Sequence, residues 1–325
     1  MKVVIFCGGL GLRMRSGVDS APKPMMTIGD RPVLWHVMRY YAHFGHTEFI
    51  LCLGFGGAAV KEYFLRYEET HSNDFVMTKG GQQIELLDSD ISEWKITFVD
   101  TGIDTSIGER LRRVRPYLED DDVFLANYGD VLTDAPMDKI VDHVLASDIT
   151  ASLLAVPPQS SFHVVEFGPD ARINGLRSVT ELPLWINGGY FVLKKEVFDV
   201  LHQGEDLVGD AFPRLAAMRR LEAIPHHGFW APMDTLKERS QLEELYRSGT
   251  KPWAVWTREA HDQHLQPHPV PTAPPVPVPP IVPAASSVPP VPVAQPQPAA
   301  PAVPAAPAVP AASAVPAGSS AVVAI

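Results

Sequence analysis

The 325-residue sequence is 46% hydrophobic and carries a formal net charge of -11. A chain of this length can bury one large core or two modest ones, so its composition is compatible with an enzyme. The acidic balance argues against general nucleic-acid binding, which needs clustered Lys and Arg, but a small anionic substrate needs only a few local cations.

The N-terminal segment is apolar and typical of a strand, without the basic region and cleavage site of a secretory signal. No uninterrupted apolar run reaches the length of a membrane span. Both cysteines, Cys7 and Cys52, lie within apolar runs typical of buried strands, so no structural disulfide is expected. We therefore expect a cytoplasmic protein.

Two regions of different composition meet near residue 258. Every Lys, Arg, Asp and Glu lies at or before Asp262, whereas 19 of the 32 prolines lie from Pro267 onward. A proline density this high, without apolar periodicity, excludes a helix or a central strand. We expect residues 1–258 to form the functional domain and residues 259–325 to form a disordered, Pro/Ala/Val-rich tail without catalytic residues.

Hydrophobic periodicities of two and of 3.6 residues alternate along the first region. Strands are predicted, in chain order, at 2–6, 48–53, 96–99, 122–128, 150–156, 163–167 and 188–193. Helices are predicted at 32–44, 58–67, 137–146, 195–202, 210–219 and 235–247. This order predicts an α/β, Rossmann-like fold with a mostly parallel central sheet and a smaller mixed β region.

The first predicted strand leads into a glycine-rich segment with Gly8, Gly9 and Gly11, followed by Arg13. Glycines at such a place let backbone N–H groups approach an anion, which neighbouring cations then neutralise. The segment lacks the Gly-Lys-Ser/Thr end of a Walker A motif and the third glycine of the dinucleotide fingerprint. It fits a phosphate-binding loop or an ordinary tight turn.

A single lysine, Lys23, lies between Pro22 and Pro24. The two prolines stiffen the backbone and so fix the direction in which the lysine leaves the chain. A lysine held in this way could bind a triphosphate and stabilise negative charge on the leaving group. The alternative is a surface turn with a solvated lysine.

Many motifs in a fixed order resemble those of the sugar-phosphate nucleotidylyltransferases, and within them the glucose-1-phosphate cytidylyltransferases. The motifs are Gly8-Gly9-Leu10-Gly11 with Arg13, Lys23-Pro24-Met25, Val99-Asp100-Thr101-Gly102, Gly108-Glu109-Arg110, Tyr128-Gly129-Asp130, Ile186-Asn187-Gly188-Gly189 and Gly228-Phe229-Trp230-Ala231-Pro232-Met233-Asp234-Thr235. They extend over roughly the first 255 residues. The resemblance implies transfer of a nucleoside monophosphate from an NTP, with CTP favoured, to a sugar 1-phosphate, with glucose 1-phosphate favoured, and release of pyrophosphate.

The resemblance also implies roles for residues near the triphosphate. Arg13 and Lys23 are the implied catalytic residues, because they would screen two polyanions that repel each other. Arg110 has an alternative interpretation as a solvated cation at the start of a basic helix. The implied nucleotide-binding residues are Gly8, Gly9, Gly11, Arg13, Lys23, Thr101, Gly102, Arg110 and Asp130.

Two aspartates are candidate metal ligands. Asp130 follows an apolar strand and is therefore expected at a carboxyl end of the sheet, where α/β folds bind ligands. Asp234 precedes a predicted helix, where an aspartate often serves as N-cap. If the fold brings them together, the two carboxylates could hold one Mg²⁺. The resemblance implies that both bind Mg²⁺.

The acceptor side is where the sequence departs from the family. The resemblance implies four substrate-binding residues, Glu181, Asn187, Gly188 and Trp230. The family's Glu-Lys-Pro motif, whose lysine contacts the acceptor phosphate, reads Glu181-Leu182-Pro183 here. Three explanations are open: a substitute cation at Lys194, Lys195 or Arg177, an unusual sugar or cyclitol phosphate as acceptor, or loss of activity.

Two other functions are compatible with such a fold. A glycosyltransferase would use an Asp-x-Asp metal motif, but Asp130-Val131-Leu132 lacks the second acid. A non-catalytic sensor of sugar nucleotides would bind nucleotide without turnover. The resemblance further implies a homo-oligomer, and neither nucleic acid nor a membrane is an expected partner.

Overall fold

The computed structural model describes residues 1–9, 21–159, 162–167 and 172–257. The predicted site residues Gly11 and Arg13 and the predicted tail at 259–325 lie outside the described residues. Within those ranges, none of the helices combines the length and the apolarity that crossing a membrane requires.

Short strands and helices alternate along the chain. The strands of the described residues are β1 Lys2–Phe6, β2 Thr27–Ile28, β3 Arg31–Pro32, β4 Glu48–Leu53, β5 Phe75–Thr78, β6 Gln83–Leu86, β7 Lys95–Asp100, β8 Val123–Tyr128, β9 Val131–Thr133, β10 Ala151–Val156, β11 His163–Phe167, β12 Ile173–Ser178, β13 Ile186–Lys194, β14 Leu221–Pro225 and β15 Trp230–Pro232. The α-helices of the same ranges are α1 Val33–His43, α2 Gly57–Leu65, α3 Ile107–Val114, α4 Met137–Ala146, α5 Val197–Val200, α6 Phe212–Ala217 and α7 Leu236–Arg247.

The central sheet has the strand order β14-β10-β13-β8-β1-β4-β7 among the described residues. β1 runs parallel to both β4 and β8, while β13 runs antiparallel to β8 and β10. From β1 the chain builds first toward β4 and β7 and later toward β8, so the strand order reverses at β1. In open α/β sheets the ligand site lies at the carboxyl ends of the strands at such a point. The predicted α/β class with a mostly parallel sheet is confirmed.

Both faces of the sheet are covered by helices, and β1 shows why its sequence is continuously apolar. Val3 and Ile5 belong to the core cluster that includes residues of α1 and α4. Val4 and Phe6 belong to the cluster that includes residues of α3 and α6. A strand buried on both faces needs apolar residues at every position. The glycine-rich segment therefore leaves the sheet from a rigid, central strand.

Four two-stranded sheets form the smaller β region of the described chain: β2–β3, β5–β6, β9–β15 and β11–β12. The β9–β15 pair matters most for the site, because it joins the segment after β8 to the segment before α7. The cysteines are free and buried, as expected from the sequence.

Two predicted helices differ most from their predicted bounds. The helix predicted at 195–202 is the single turn α5, and the one predicted at 210–219 is preceded by a π-helical turn at Leu207–Ala211 that leads into α6. The Asp206 carboxylate accepts hydrogen bonds from the N–H groups of Val208 and Gly209, and thereby starts this turn earlier than the apolar pattern predicts.

A buried histidine fixes the segment that follows α7. His36 donates from Nε2 to the carbonyl of Ile28 at 3.0 Å and accepts at Nδ1 from the Trp253 indole at 3.3 Å. Burial lowers the pKa of His36 to about 4, so the ring stays neutral and keeps one donor and one acceptor. α1 and the end of the described chain are thereby tied together.

Candidate active site

A cluster of three charged side chains lies at the carboxyl edge of the sheet. The ammonium of Lys23 contacts the carboxylates of both Asp130 and Asp234. The side chains of Lys23 and Asp130 are 14% and 21% exposed, and that of Asp234 is 43% exposed. The two predicted metal ligands and the predicted catalytic lysine are thus brought together from positions separated by as many as 211 residues.

The cluster carries more negative charge than one lysine neutralises. Burial disfavours the Lys23 ammonium, but attraction by Asp130 and Asp234 outweighs burial and raises the pKa of Lys23. Burial raises the pKa of Asp130, and repulsion by Asp234 acts in the same direction, against the attraction of Lys23. Two carboxylates in partial burial with one monovalent partner form a site that favours a more highly charged cation.

Lys23 is positioned by a short 3-10 turn over Lys23–Met25. The Met25 N–H donates to the Pro22 carbonyl at 2.8 Å, and the Met26 N–H donates to the Lys23 carbonyl at 3.1 Å. The Pro22 ring packs against Gly56, where an added Cβ would lie 2.5 Å from the proline. The backbone of the lysine is therefore fixed, as the flanking prolines predicted.

Asp234 does not cap α7, because the residue after it does. Thr235 accepts from the Glu238 N–H, while the Glu238 carboxylate accepts from the backbone N–H groups of Thr235 and Asp234 in a capping box. The Met233 N–H donates to the Asp130 carbonyl at 2.9 Å. The cap and the β9–β15 pairing hold the Asp234 backbone beside Asp130. The Asp234 carboxylate is thereby placed to contact the Lys23 ammonium.

Gly8 and Gly9 line the same cleft as the charged cluster, directly after β1. An added Cβ on Gly8 would lie 2.0 Å from Nη1 of Arg110, whereas a Cβ on Gly9 would meet no described atom within 4 Å. Gly8 is therefore glycine because a guanidinium lies against it. Open space next to Gly9 is what approach of a ligand to the backbone requires.

Arg110 is buried and uses all five of its N–H donors on protein oxygens. The acceptors are the carbonyls of Gly8, Leu53, Ile103 and Thr105 and the hydroxyl of Thr101. The resemblance implied a nucleotide contact for Arg110, and the residue does line the cleft. Its donors, however, are used on protein oxygens at the carboxyl ends of β1, β4 and β7 and in the segments that follow them, so the nucleotide contact stays a prediction. We interpret Arg110 as a positioning residue for the glycine-rich loop.

Thr101 and Gly102 directly follow β7, and Thr101 contacts Arg110. Thr101 is fully buried and donates its hydroxyl to the Leu53 carbonyl at 2.8 Å. Gly102 has a φ of 83°, in the left-handed region that favours glycine. Neither is among the described residues that line the cleft, although both were predicted to bind nucleotide.

The predicted acceptor residues divide into two groups. Asn187, Gly188 and Trp230 line the cleft, and the Trp230 indole donates to the Gly188 carbonyl at 2.8 Å. The Asn187 amide donates to the Tyr128 hydroxyl at 3.3 Å, beside the strand that leads to Asp130. Glu181 is exposed in a 3-10 turn and is not among the described lining residues.

The cleft has a volume of about 1720 Å³. Typical small-molecule sites measure roughly 300–1,000 Å³, so this cleft has room for two substrates at once. The carboxylates and Gly8-Gly9 lie on its lining together with the acceptor residues. Two further described cations, Arg110 and Lys237, belong to the lining. Lys237 lies on the first turn of α7, and sequence reasoning missed it because only the course of that helix brings it to the cleft.

Known proteins resemble this chain in sequence and in fold. Residues 2–238 match the family described as Nucleotidyl transferase. The chain belongs to that family. It is 37% identical over 261 residues to a Salmonella typhimurium protein named glucose-1-phosphate cytidylyltransferase, covering 79% of this chain and all of that protein.

Two further relatives extend the comparison. A Bacillus subtilis protein named "Probable glucose-1-phosphate cytidylyltransferase" is 34% identical over 258 residues, covering 79% of this chain and the whole of that protein. The crystal structure of HddC from Yersinia pseudotuberculosis aligns with a TM-score of 0.54 at 18% identity, covering 75% of this chain and 99% of HddC. The latter likeness shows that this chain and HddC share a fold.

The contact between Gly8 and Arg110 leads to a prediction about this family member's stability. Gly8→Ala forces the guanidinium away from its acceptors, so we expect a loss of about 2–3 kcal/mol in the free energy of unfolding. Gly9→Ala is the matched control, because its methyl group meets no described atom, and should stay within about 0.5 kcal/mol of wild type. Chemical denaturation measures both, and equal stability of the two variants would contradict the role given to Arg110.

Proposed function

We propose that this chain transfers CMP from CTP to glucose 1-phosphate, releasing pyrophosphate and forming CDP-glucose. The observation that carries the proposal is the contact of Lys23 with Asp130 and Asp234 in a cleft that also contains the acceptor residues. The choice of CTP and glucose 1-phosphate is supported by the names of the relatives that are 37% and 34% identical.

The chemistry requires no nucleophile from the protein. A phosphate oxygen of the sugar phosphate attacks the α-phosphorus of the triphosphate, a new P–O bond forms, and the bond to the β-phosphate oxygen breaks as pyrophosphate leaves. Both substrates are polyanions, so catalysis consists of holding them in line and compensating their charge. Lys23 supplies one such charge, and Arg13, outside the described residues, is proposed to supply another.

We propose Mg²⁺ as the cofactor, held by Asp130 and Asp234. Their carboxylate oxygens are the donors that Mg²⁺ prefers, and one cation already contacts both of them. Among the described residues no group of three or more His, Cys, Asp and Glu side chains could hold a metal ion. Two protein ligands suit an ion whose remaining ligands are water and phosphate oxygens. When bound, Mg²⁺ would neutralise phosphate charge in the cleft.

Lys237 is proposed as the cation that contacts the acceptor phosphate in place of the family lysine lost at Leu182. Lys194 and Lys195 lie at the opposite end of β13 from Asn187, roughly 23 Å away at 3.3 Å per residue. The remaining candidate, Arg177, pairs with Glu166 on the β11–β12 hairpin.

The position of Lys237 suits this role. The acceptor oxygen must come within roughly 3–3.5 Å of the α-phosphorus, close to the aspartates. Lys237 lies three residues after Asp234, in the first turn of α7, and lines the cleft. No hydrogen bond or ion pair ties it to another described residue.

The reaction is tested by pyrophosphate release with Mg²⁺ across the common NTPs and a panel of sugar and cyclitol 1-phosphates. We expect release with CTP and glucose 1-phosphate, and a loss of at least about 100-fold in kcat in Asp130→Asn and in Asp234→Asn with the fold retained. Turnover with a cyclitol phosphate or another NTP alone would reassign the substrates. Nucleotide binding without release from any pair would favour the sensor and contradict the proposal.

The role of Lys237 is tested by steady-state kinetics of Lys237→Met. We expect KM for the sugar phosphate to rise at least about tenfold while KM for the NTP changes little, because only the acceptor loses a charge-assisted contact. Lys139→Met, an exposed lysine on α4, is the matched control for the change in net charge. An equal rise in both KM values would contradict an acceptor-specific role.

We also propose a homo-oligomer in which a second copy covers the hairpin formed by β5 and β6. This hairpin pairs with no other described strand, and it exposes the large apolar side chains Phe75, Val76, Met77, Ile84 and Leu86. An isolated two-stranded sheet is marginally stable in water, and exposed apolar clusters mark interfaces. A partly buried network in which Tyr67 and Ser72 donate to Asp90 holds the segments that flank the hairpin.

Light scattering of the full-length protein tests this assembly. We expect an oligomer for wild type, and a monomer for the double variant Met77→Lys, Ile84→Lys, because buried charges oppose association. Leu145→Lys, which changes an apolar residue exposed on α4, is the control and should leave the oligomer intact. A monomeric wild type, or an oligomer that survives the double variant, would contradict the proposal.

A further inference from the structure

The Lys23 ammonium has two possible sets of partners, the phosphates of a substrate and the carboxylates of Asp130 and Asp234. As a catalytic cation it should contact phosphate, yet its ammonium contacts both carboxylates proposed to hold the metal. Among the described residues, Lys23 is the cation that pairs with Asp130. The two proposed metal ligands are therefore already partly neutralised by a side chain of the protein itself.

An ammonium and a divalent ion cannot share this position. Both would lie within contact distance of the same two carboxylates, and like charges at about 4 Å repel each other by several kcal/mol at the effective dielectric of a partly buried site. The proposed metal site has two carboxylates as its protein ligands. Its affinity for a metal ion is therefore low while the lysine neutralises one of the two negative charges.

We propose that Lys23 is a placeholder cation: it holds the metal position in the nucleotide-free enzyme and moves onto the triphosphate when nucleotide binds, which opens the site to Mg²⁺. The inference rests on the proposed function, because it assigns the regulation of that same site. It adds that Lys23 lowers the metal affinity of the free enzyme.

The fold permits this exchange. The 3-10 turn and Pro22 fix the Lys23 backbone, whereas the four-carbon side chain can rotate about its own bonds. Gly8 and Gly9 line the same cleft as Lys23, so phosphates held by the glycine-rich loop would lie on its lining too. Rotation within the Lys23 side chain is therefore enough to carry the ammonium from the carboxylates to a phosphate.

The charges also balance better after the exchange. Counting the side chains of Lys23, Asp130 and Asp234 alone, two carboxylates and one ammonium carry a formal charge of about -1 before nucleotide binds. A divalent ion in place of the ammonium makes the carboxylates and metal neutral, and the released ammonium meets a polyanion. Metal and triphosphate are thus expected to favour each other's binding, and this coupling must be reciprocal.

Binding of Mn²⁺ alone to full-length, nucleotide-free protein at pH 8 tests the proposal. Free Mn²⁺ is measured by its electron paramagnetic resonance signal, which needs no turnover. We expect weak binding to wild type and at least about tenfold tighter binding to Lys23→Met, because the competing charge is gone. Lys23→Gln, which keeps a hydrogen-bond donor, should also bind more tightly and serves if Lys23→Met fails to fold.

Three further variants make the outcome specific. Lys23→Arg keeps the positive charge and should bind Mn²⁺ as weakly as wild type, and Lys139→Met controls for net charge. Adding Asp130→Asn to Lys23→Met should remove the gain. The proposal is overturned if Lys23→Met and Lys23→Gln both bind Mn²⁺ no more tightly than wild type, or do not bind it measurably. It is also overturned if the tighter binding of Lys23→Met persists when Asp130→Asn is added. Pyrophosphate release in wild type without such a gain would leave the proposed function standing while removing the placeholder role.

Discussion

The ion cluster of Lys23, Asp130 and Asp234 is the interaction on which the site depends. It joins three segments that are far apart in sequence: a loop near the N-terminus, the end of a central strand and the residues that precede α7. Each member is held by a different local device: a proline-flanked turn, the end of buried β8, and a capping box that leaves the cap to Thr235. Because these devices fix the backbones, the charges meet without a rearrangement of the fold.

A second cation at the site, Arg110, has a different role from Lys23. Burial lowers the pKa of Arg110, yet five hydrogen bonds to neutral oxygens keep its guanidinium satisfied between the loops that follow β1, β4 and β7. Gly8 and Gly54 leave room for it, since an added Cβ on either would lie within 3 Å of the guanidinium. Both cations line the cleft, but Arg110 is bound to neutral backbone and hydroxyl oxygens, whereas Lys23 contacts two carboxylates.

Much of this arrangement could be predicted from sequence where periodicity was strong. β4, β11 and α4 have the predicted bounds. The continuous apolar run of β4 and the helical apolar period of α4 stand out clearly from the flanking residues. The β5–β6 hairpin was missed because its apolar residues are exposed rather than in a core. The hydrogen bonds of Arg110 to backbone oxygens could not be predicted, because a motif gives the residue but not the direction of its donors. Lys237 went unnoticed because only the orientation of α7 brings it to the cleft.

The most direct test of this account is a crystal structure with Mn²⁺ and a non-hydrolysable CTP analogue, in which anomalous scattering locates the metal. The account predicts one anomalous peak between the carboxylates of Asp130 and Asp234, with the Lys23 ammonium moved onto the triphosphate. A bound nucleotide with Lys23 still contacting both carboxylates and the metal elsewhere would contradict it.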